Sequence, residues 1–256
     1  MKSFVSDTAV ESAHALILHL LRQMYQEPER VFYVAFGGGS CNSLLFDVWA
    51  NEYLEQTPWY RLRIFWVDEW CVPIEDSASN YGTMQRLLLH HIPGFQEWSY
   101  PIDGLQNPLE EAHRYSELLY QIVPRNESGI PALDAIFLEA EPDGHLSSIH
   151  AGQEELLKSL QPYVVDFHPK EGQQKIVMTG CLLFAAKELF FFLVGKQWKV
   201  LVNDILNSGD TGIAAYVAHH ARSVCVFSDA LAEGGYEKNK SLHRSLTQEG
   251  LTQKLN

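Results

Sequence analysis

Five short apolar runs constrain this chain more than anything else in it. Residues 31–36, 62–67, 133–138, 189–194 and 224–227 are almost wholly apolar and carry none of the polar alternation of a strand with one wet face. Such runs mark strands covered on both sides, and strands covered on both sides belong to parallel sheets with helices above and below. Helical periodicity fills the gaps between them. Ala13, Leu16, Ile17, Leu20, Leu21 and Met24 recur at helical spacing behind Thr8-Ala9-Val10-Glu11, which has the form of a capping box. Further helices are expected over 44–54, 81–90, 108–122, 199–206 and 212–221, and a further strand over 175–178. Alternation of this kind predicts an α/β fold, a doubly wound and mostly parallel sheet with helices on both faces.

No internal repeat and no Pro-, Gly- or Ser-rich linker divides the 256 residues, so one domain is expected over 1–236, followed by a polar tail over 237–256. A hydrophobic content of 46% is enough for a sizeable core. The net charge of −13 argues against a nucleic-acid partner or an anionic membrane, because both draw their affinity from basic surface. It leaves room for a small anion held by a few local cations. Cys41, Cys71, Cys181 and Cys225 lie too far apart for a metal-ligand motif or a disulfide framework, and are expected at strand ends and in the core. Residues 1–7 lack the apolar centre of a signal peptide, and 189–194 is too short to span a bilayer, so a cytoplasmic protein is expected.

Polar groups gather where the apolar runs stop. Gly37-Gly38-Gly39-Ser40 lies between a strand and a helix, a geometry that aims backbone N–H groups and a hydroxyl at an anion. The purely structural account is a tight turn that needs glycine. Asp68-Glu69-Trp70 follows a second strand and leads to Ser79-Asn80-Tyr81; its carboxylates can orient hydroxyls or take a proton, or simply cap a helix. Asp143-Gly144-His145 follows a third strand, and His is the side chain best suited to moving a proton near neutral pH. Gly195-Lys196-Gln197-Trp198-Lys199 follows a fourth, while Lys175 begins the extra strand; both lysines suit a phosphate or plain solvation. One parallel sheet would gather these strand ends on one edge, where open α/β sheets bind ligands.

Taken together, these motifs resemble the 6-phosphogluconolactonase family, which is similar in fold to glucosamine-6-phosphate deaminases, over about residues 31–227. The family's Ser-Gly-Gly-Ser-Thr-Pro loop corresponds to Gly37-Gly38-Gly39-Ser40-Cys41-Asn42. Its Asp-Glu-Arg corresponds to Asp68-Glu69-Trp70, and its Ser-Asn-Tyr is intact at Ser79-Asn80-Tyr81. Its Leu-Gly-x-Gly-x-Asp-Gly-His corresponds to Leu138-Glu139-Ala140-Glu141-Pro142-Asp143-Gly144-His145. The Arg of its Arg-x-Thr strand is Lys175 here, and Gly-x-x-x-Lys is intact from Gly195 to Lys199.

The resemblance implies hydrolysis of 6-phosphoglucono-1,5-lactone in the pentose phosphate pathway, with no metal and no cofactor. It implies that His145 activates water, that Asp143 or Asp68 orients it, and that Gly38, Gly39, Ser40, Asn80, Lys175 and Lys199 hold the substrate and its phosphate. Its partner is then a small sugar phosphate, and the chain a monomer or small homo-oligomer. Three departures bear on activity or specificity. Trp70 removes a cationic fork of donors, and Glu139 and Glu141 place carboxylates where the family keeps glycine. Two further readings therefore stand beside the lactonase. One is an isomerase or deaminase, whose family acid five positions after the histidine is His150 here; the other is a sugar-phosphate binder without turnover.

Overall fold

The computed structural model describes residues 1–146, 149–167, 173–207 and 212–234. Its elements, in chain order, are β1 (Lys2–Ser6), α1 (Ala9–Gln26), β2 (Phe32–Phe36), α2 (Ser40–Glu52), β3 (Leu62–Trp66), β4 (Asp68–Trp70), α3 (Asn80–Leu87), α4 (Pro108–Ile122), β5 (Ala135–Leu138), β6 (Tyr163–Phe167), β7 (Gln174–Met178), α5 (Gly180–Ala185), β8 (Glu188–Leu193), α6 (Lys199–Leu206), α7 (Gly212–His220) and β9 (Val224–Asp229). Six strands form one sheet in the order β1-β9-β8-β5-β2-β3, and every pairing in it is parallel. Strands β5, β8 and β9 are buried at every residue, so both faces of the sheet's centre are covered. This is the doubly wound α/β arrangement that the apolar runs predict.

The core follows from the same pattern. Phe190, Phe191, Phe192 and Phe227 are fully buried on the central strands, each contributing roughly 2–3 kcal/mol relative to exposure. Helix α1 turns Ala13, Leu16, Ile17, Leu20, Leu21 and Met24 into this core. Its start is the expected capping box: Thr8 Oγ1 accepts from the Glu11 amide at 3.2 Å, and the Thr8 amide donates to Glu11 Oε2 at 3.1 Å.

Three expectations change. Residues 175–178 do form a strand, but β7 lies in a separate antiparallel sheet, ordered β4-β7-β6, rather than among the parallel strands. Lys175 is therefore not at the end of a parallel strand; it pairs across from Trp70. The cysteines are less uniform than strand ends and core: Cys41 and Cys181 sit in helices, Cys71 just beyond β4, and Cys225 alone in a strand, with all four as free thiols. The third change is α2, which begins at Ser40, directly on the glycine loop, instead of at 44. The tail over 237–256 lies outside the described residues.

The topology fixes where a ligand can sit. The chain leaves β2 for β3 on one side, and β5 pairs with β2 on the other, so the order reverses between β2 and β5. Ligand-binding crevices open at such a reversal, outside the carboxyl ends of the strands. Here the glycine loop leaves β2 and the Glu139 segment leaves β5 into that one crevice, joined by a bond from the Gly37 amide to the Phe137 carbonyl at 3.0 Å.

Candidate active site

The glycine loop is rigid for reasons in its own residues. Gly39 has φ +98°, which an L side chain resists. Asn42, buried in the first turn of α2, donates its amide to the carbonyls of Gly37 and Gly38 at 3.0 and 3.1 Å. Asn80 completes the wall: Nδ2 donates to the Asp68 carbonyl at 2.9 Å, and its Oδ1 fills the space a Cβ on Gly38 would take. A cleft of about 310 Å³ opens here, lined by Gly38, Gly39, Ser40, Trp70, Ser77 and Asn80 among others. Asn42 and Ser77 escape the sequence reading. Asn42 does offer a signal, as an Asn side chain one turn from carbonyls that a glycine loop leaves without partners.

The anion site at the start of α2 is already filled by a carboxyl group of the protein itself. Glu139 Oε1 accepts from the Ser40 amide at 3.1 Å, with the Ser40 hydroxyl and the Cys41 amide each at 3.4 Å. The Glu139 side chain also fills the volume beside Gly39, where a Cβ would meet its carboxylate. Glu139 is 6% exposed. Burial pushes its carboxyl up to about 7 against the pull of the amide donors, and the nearby charge of Glu141 adds to the rise. Cys41 responds in turn: burial, then the Glu139 charge, push its thiol up to about 12. Glu141, by contrast, faces solvent, and its backbone closes the turn that carries His145.

That turn assembles the proton-transfer pair. Gly144 has φ +90°, and its carbonyl accepts from the Ala214 amide of α7 at 3.0 Å, which anchors the loop. His145 Nδ1 bonds Asp143 Oδ1 at 2.5 Å, and this bond holds the Asp143 carboxyl below its ordinary range. With Nδ1–H donated to the carboxylate, Nε2 is the basic nitrogen. The His150 ring packs edge-on against His145, with centroids 4.6 Å apart.

Asp68 does not join this pair. Its carboxylate forms an ion pair with Lys175, and both side chains are buried. Trp70 covers the pair, its ring centroid 4.6 Å from Lys175 Nζ. Of the two acids expected beside His145, Asp143 is the partner; Asp68 instead neutralises the lysine expected to hold phosphate. Glu69 has a third fate. It accepts from the amides of Trp70, Asn80 and Tyr81 at 2.9, 2.8 and 2.7 Å and so caps α3; burial pushes its carboxyl up to about 7. Lys199 opens α6 as an exposed residue, its side-chain end packed against Gly234.

One group among the described residues has the donor set of a metal site: His19, Glu188 and Cys225, with ligand atoms within 4.8 Å of one another. It lies at the amino edge of the sheet, opposite the crevice. Gln23, Ser223 and Cys225 donate to the Glu188 carboxylate at 2.8, 3.1 and 3.2 Å, with His19 Nε2 at 3.1 Å, so the cluster ties α1, β8 and β9 together.

Known proteins repeat this architecture. A 6-phosphogluconolactonase of Treponema pallidum (strain Nichols) is 32% identical over 169 residues, covering 66% of this chain and 70% of the relative. One from Haemophilus influenzae is 31% identical over 183 residues, covering 71% and 76%. Among solved structures, the devB protein superposes with a TM-score of 0.82 at 27% identity, over 90% of this chain and 97% of the other. A monomeric glucosamine-6-phosphate deaminase shares the fold, with a TM-score of 0.74 at 17% identity, over 91% and 99%. Residues 5–226 match the family described as glucosamine-6-phosphate isomerases/6-phosphogluconolactonase. With that span matched, the switch-point crevice in place and relatives at this identity, the chain belongs to that family.

Proposed function

We propose that this chain is a lactone hydrolase that opens 6-phosphoglucono-1,5-lactone to 6-phosphogluconate. The observation that carries this reading is the His145–Asp143 pair at the carboxyl edge of the sheet, in a chain whose relatives are named 6-phosphogluconolactonases. His145 Nε2 takes a proton from water as the oxygen attacks the lactone carbonyl. Asp143 holds the ring orientation and steadies the imidazolium. The tetrahedral intermediate collapses, the bond to the ring oxygen breaks, and that oxygen takes the proton back from His145. The lactone is already an activated ester, so a positioned base is sufficient chemistry.

Gly38, Gly39, Ser40 and Asn80 form the substrate wall on this reading, and Lys199 supplies positive charge from α6. Lys175 reaches the cleft only through Trp70. A histidine, His150, stands beside His145, and among the described residues the acid bonded to His145 is Asp143, an arrangement that suits hydrolysis better than isomerisation. One domain over 1–236 carries the whole site, as a monomer or small homo-oligomer. Four free thiols support a cytoplasmic setting, and no described helix is long and apolar enough to cross a membrane.

The test is hydrolysis of freshly generated lactone above the spontaneous rate. We expect His145→Ala to lower kcat by about 10²–10⁴-fold, with the fold intact by circular dichroism. Equal rates in the two proteins would remove His145 from the chemistry.

A further inference from the structure

The start of α2 is a place in the crevice built to receive an anion by backbone geometry, and the protein's own Glu139 carboxylate sits in it. We propose that Glu139 is an internal occupant of this cradle that competes with the phosphate of a ligand, making it the residue that sets how strongly this site prefers phosphorylated over unphosphorylated sugar acids. The proposal rests on the reading above only for the identity of the ligand.

Three independent features support it. Glu139 Oε1 uses the amides of Ser40 and Cys41 and the Ser40 hydroxyl, the donors a phosphate oxygen would need. The same side chain fills the volume beside Gly39, so a phosphate and the carboxylate exclude one another by space as well as by charge. One compensating cation is also withdrawn, because the Lys175 ammonium is paired with Asp68 and covered by Trp70, which leaves Lys199. A dianion entering here must displace Glu139 or share the cradle with it, and like charges about 4 Å apart in a partly dry site repel strongly. An uncharged hydroxymethyl group is smaller and meets no repulsion from the carboxylate charge. The rest of the crevice, the Asn80 wall and the His145–Asp143 pair, is independent of Glu139 and serves either ligand.

The experiment measures binding, so it does not depend on turnover. Calorimetric titration of 6-phosphogluconate and of gluconate is run on the wild type, Glu139→Gly and Glu139→Gln, each checked for folding by thermal melting. The wild type is expected to favour the phosphorylated ligand by less than about tenfold. Glu139→Gly is expected to tighten 6-phosphogluconate by about tenfold or more while changing gluconate by less than about threefold. Glu139→Gln, which keeps the bulk and removes the charge, should fall between the two. A wild type that already prefers 6-phosphogluconate by about a hundredfold, with the ratio unmoved in Glu139→Gly, would overturn the proposal. So would Glu139→Gly failing to bind 6-phosphogluconate. Should His145→Ala leave hydrolysis unchanged, the catalytic reading falls while the binding ratios still decide this one.

Discussion

Glu139 illustrates how a single residue can set local electrostatics and stability together. Its carboxyl rises from the ordinary 4.5 to about 7 because burial penalises the charge more than the Ser40, Cys41 and Asn42 amides reward it. The folded state therefore holds a proton that the unfolded chain releases between those two values. Where the folded state binds more protons, stability falls as pH rises. The contribution is complete below the unfolded value and lost as pH climbs through about 7, an effect bounded at about 3 kcal/mol. Glu139→Gln removes the titration and keeps the shape. The variant should melt several degrees above the wild type at pH 8, at about 2–4 °C per kcal/mol, and the gap should close toward pH 5. A gap that stays constant across that range would mean that the buried carboxylate is not the cause. Glu69 shares the rise, but it is common to both proteins and cancels in the difference.

At the scale of elements, the ends matter more than the middles. The apolar runs and helical periodicity place β2, β3, β5, β8 and β9 and, to the residue, α4 and α6, because buried strands, apolar spacing and, in α4, a strong cap leave local signals. Pro108 in the first turn of α4, behind an Asn107 cap, is one such signal. Strands β1 and β6 are not legible: each is short and partly exposed, so no apolar run marks it. Strand β7 is legible as a strand, but its antiparallel partners, β4 and β6, are too short or too exposed to announce a second sheet. The end of α1 depends on a distant residue. Arg61 is buried, and its Nη1 lies 2.9, 3.0 and 2.7 Å from the carbonyls of Met24, Glu27 and Pro28, satisfying groups the helix leaves open. Arg61→Ala is expected to cost about 2–3 kcal/mol in urea denaturation, since hydrogen bonds to a charged donor are worth about 1.5–3 kcal/mol. A loss below about 0.5 kcal/mol would show that water caps the helix as well as the guanidinium does.

At the scale of the whole molecule, another concave region among the described residues rivals the switch-point cleft as the place where a ligand binds. The larger, about 540 Å³, is lined by Tyr25, Trp59, Tyr60 and Trp98, away from the carboxyl ends of β2 and β5. The smaller, about 310 Å³, lies at the switch point. Size favours the first; the strand order and the glycine loop that lines the cleft at the start of α2 favour the second. Gluconate should therefore slow amide hydrogen exchange over 37–43 and 139–146 and leave 55–60 and 92–98 unchanged. Protection confined to the latter segments would move the ligand site to the other cavity. The sequence by itself determined the parallel sheet, because strands buried on both faces must be apolar throughout, and it placed the glycine loop and His145 at strand ends by simple adjacency. Only the tertiary structure decided which charges meet. Asp143 serves His145 within one turn, but the pairing of Asp68 with Lys175 and the seating of Glu139 on Ser40 join residues far apart in the chain, which approach only once β2, β4, β5 and β7 have found their neighbours.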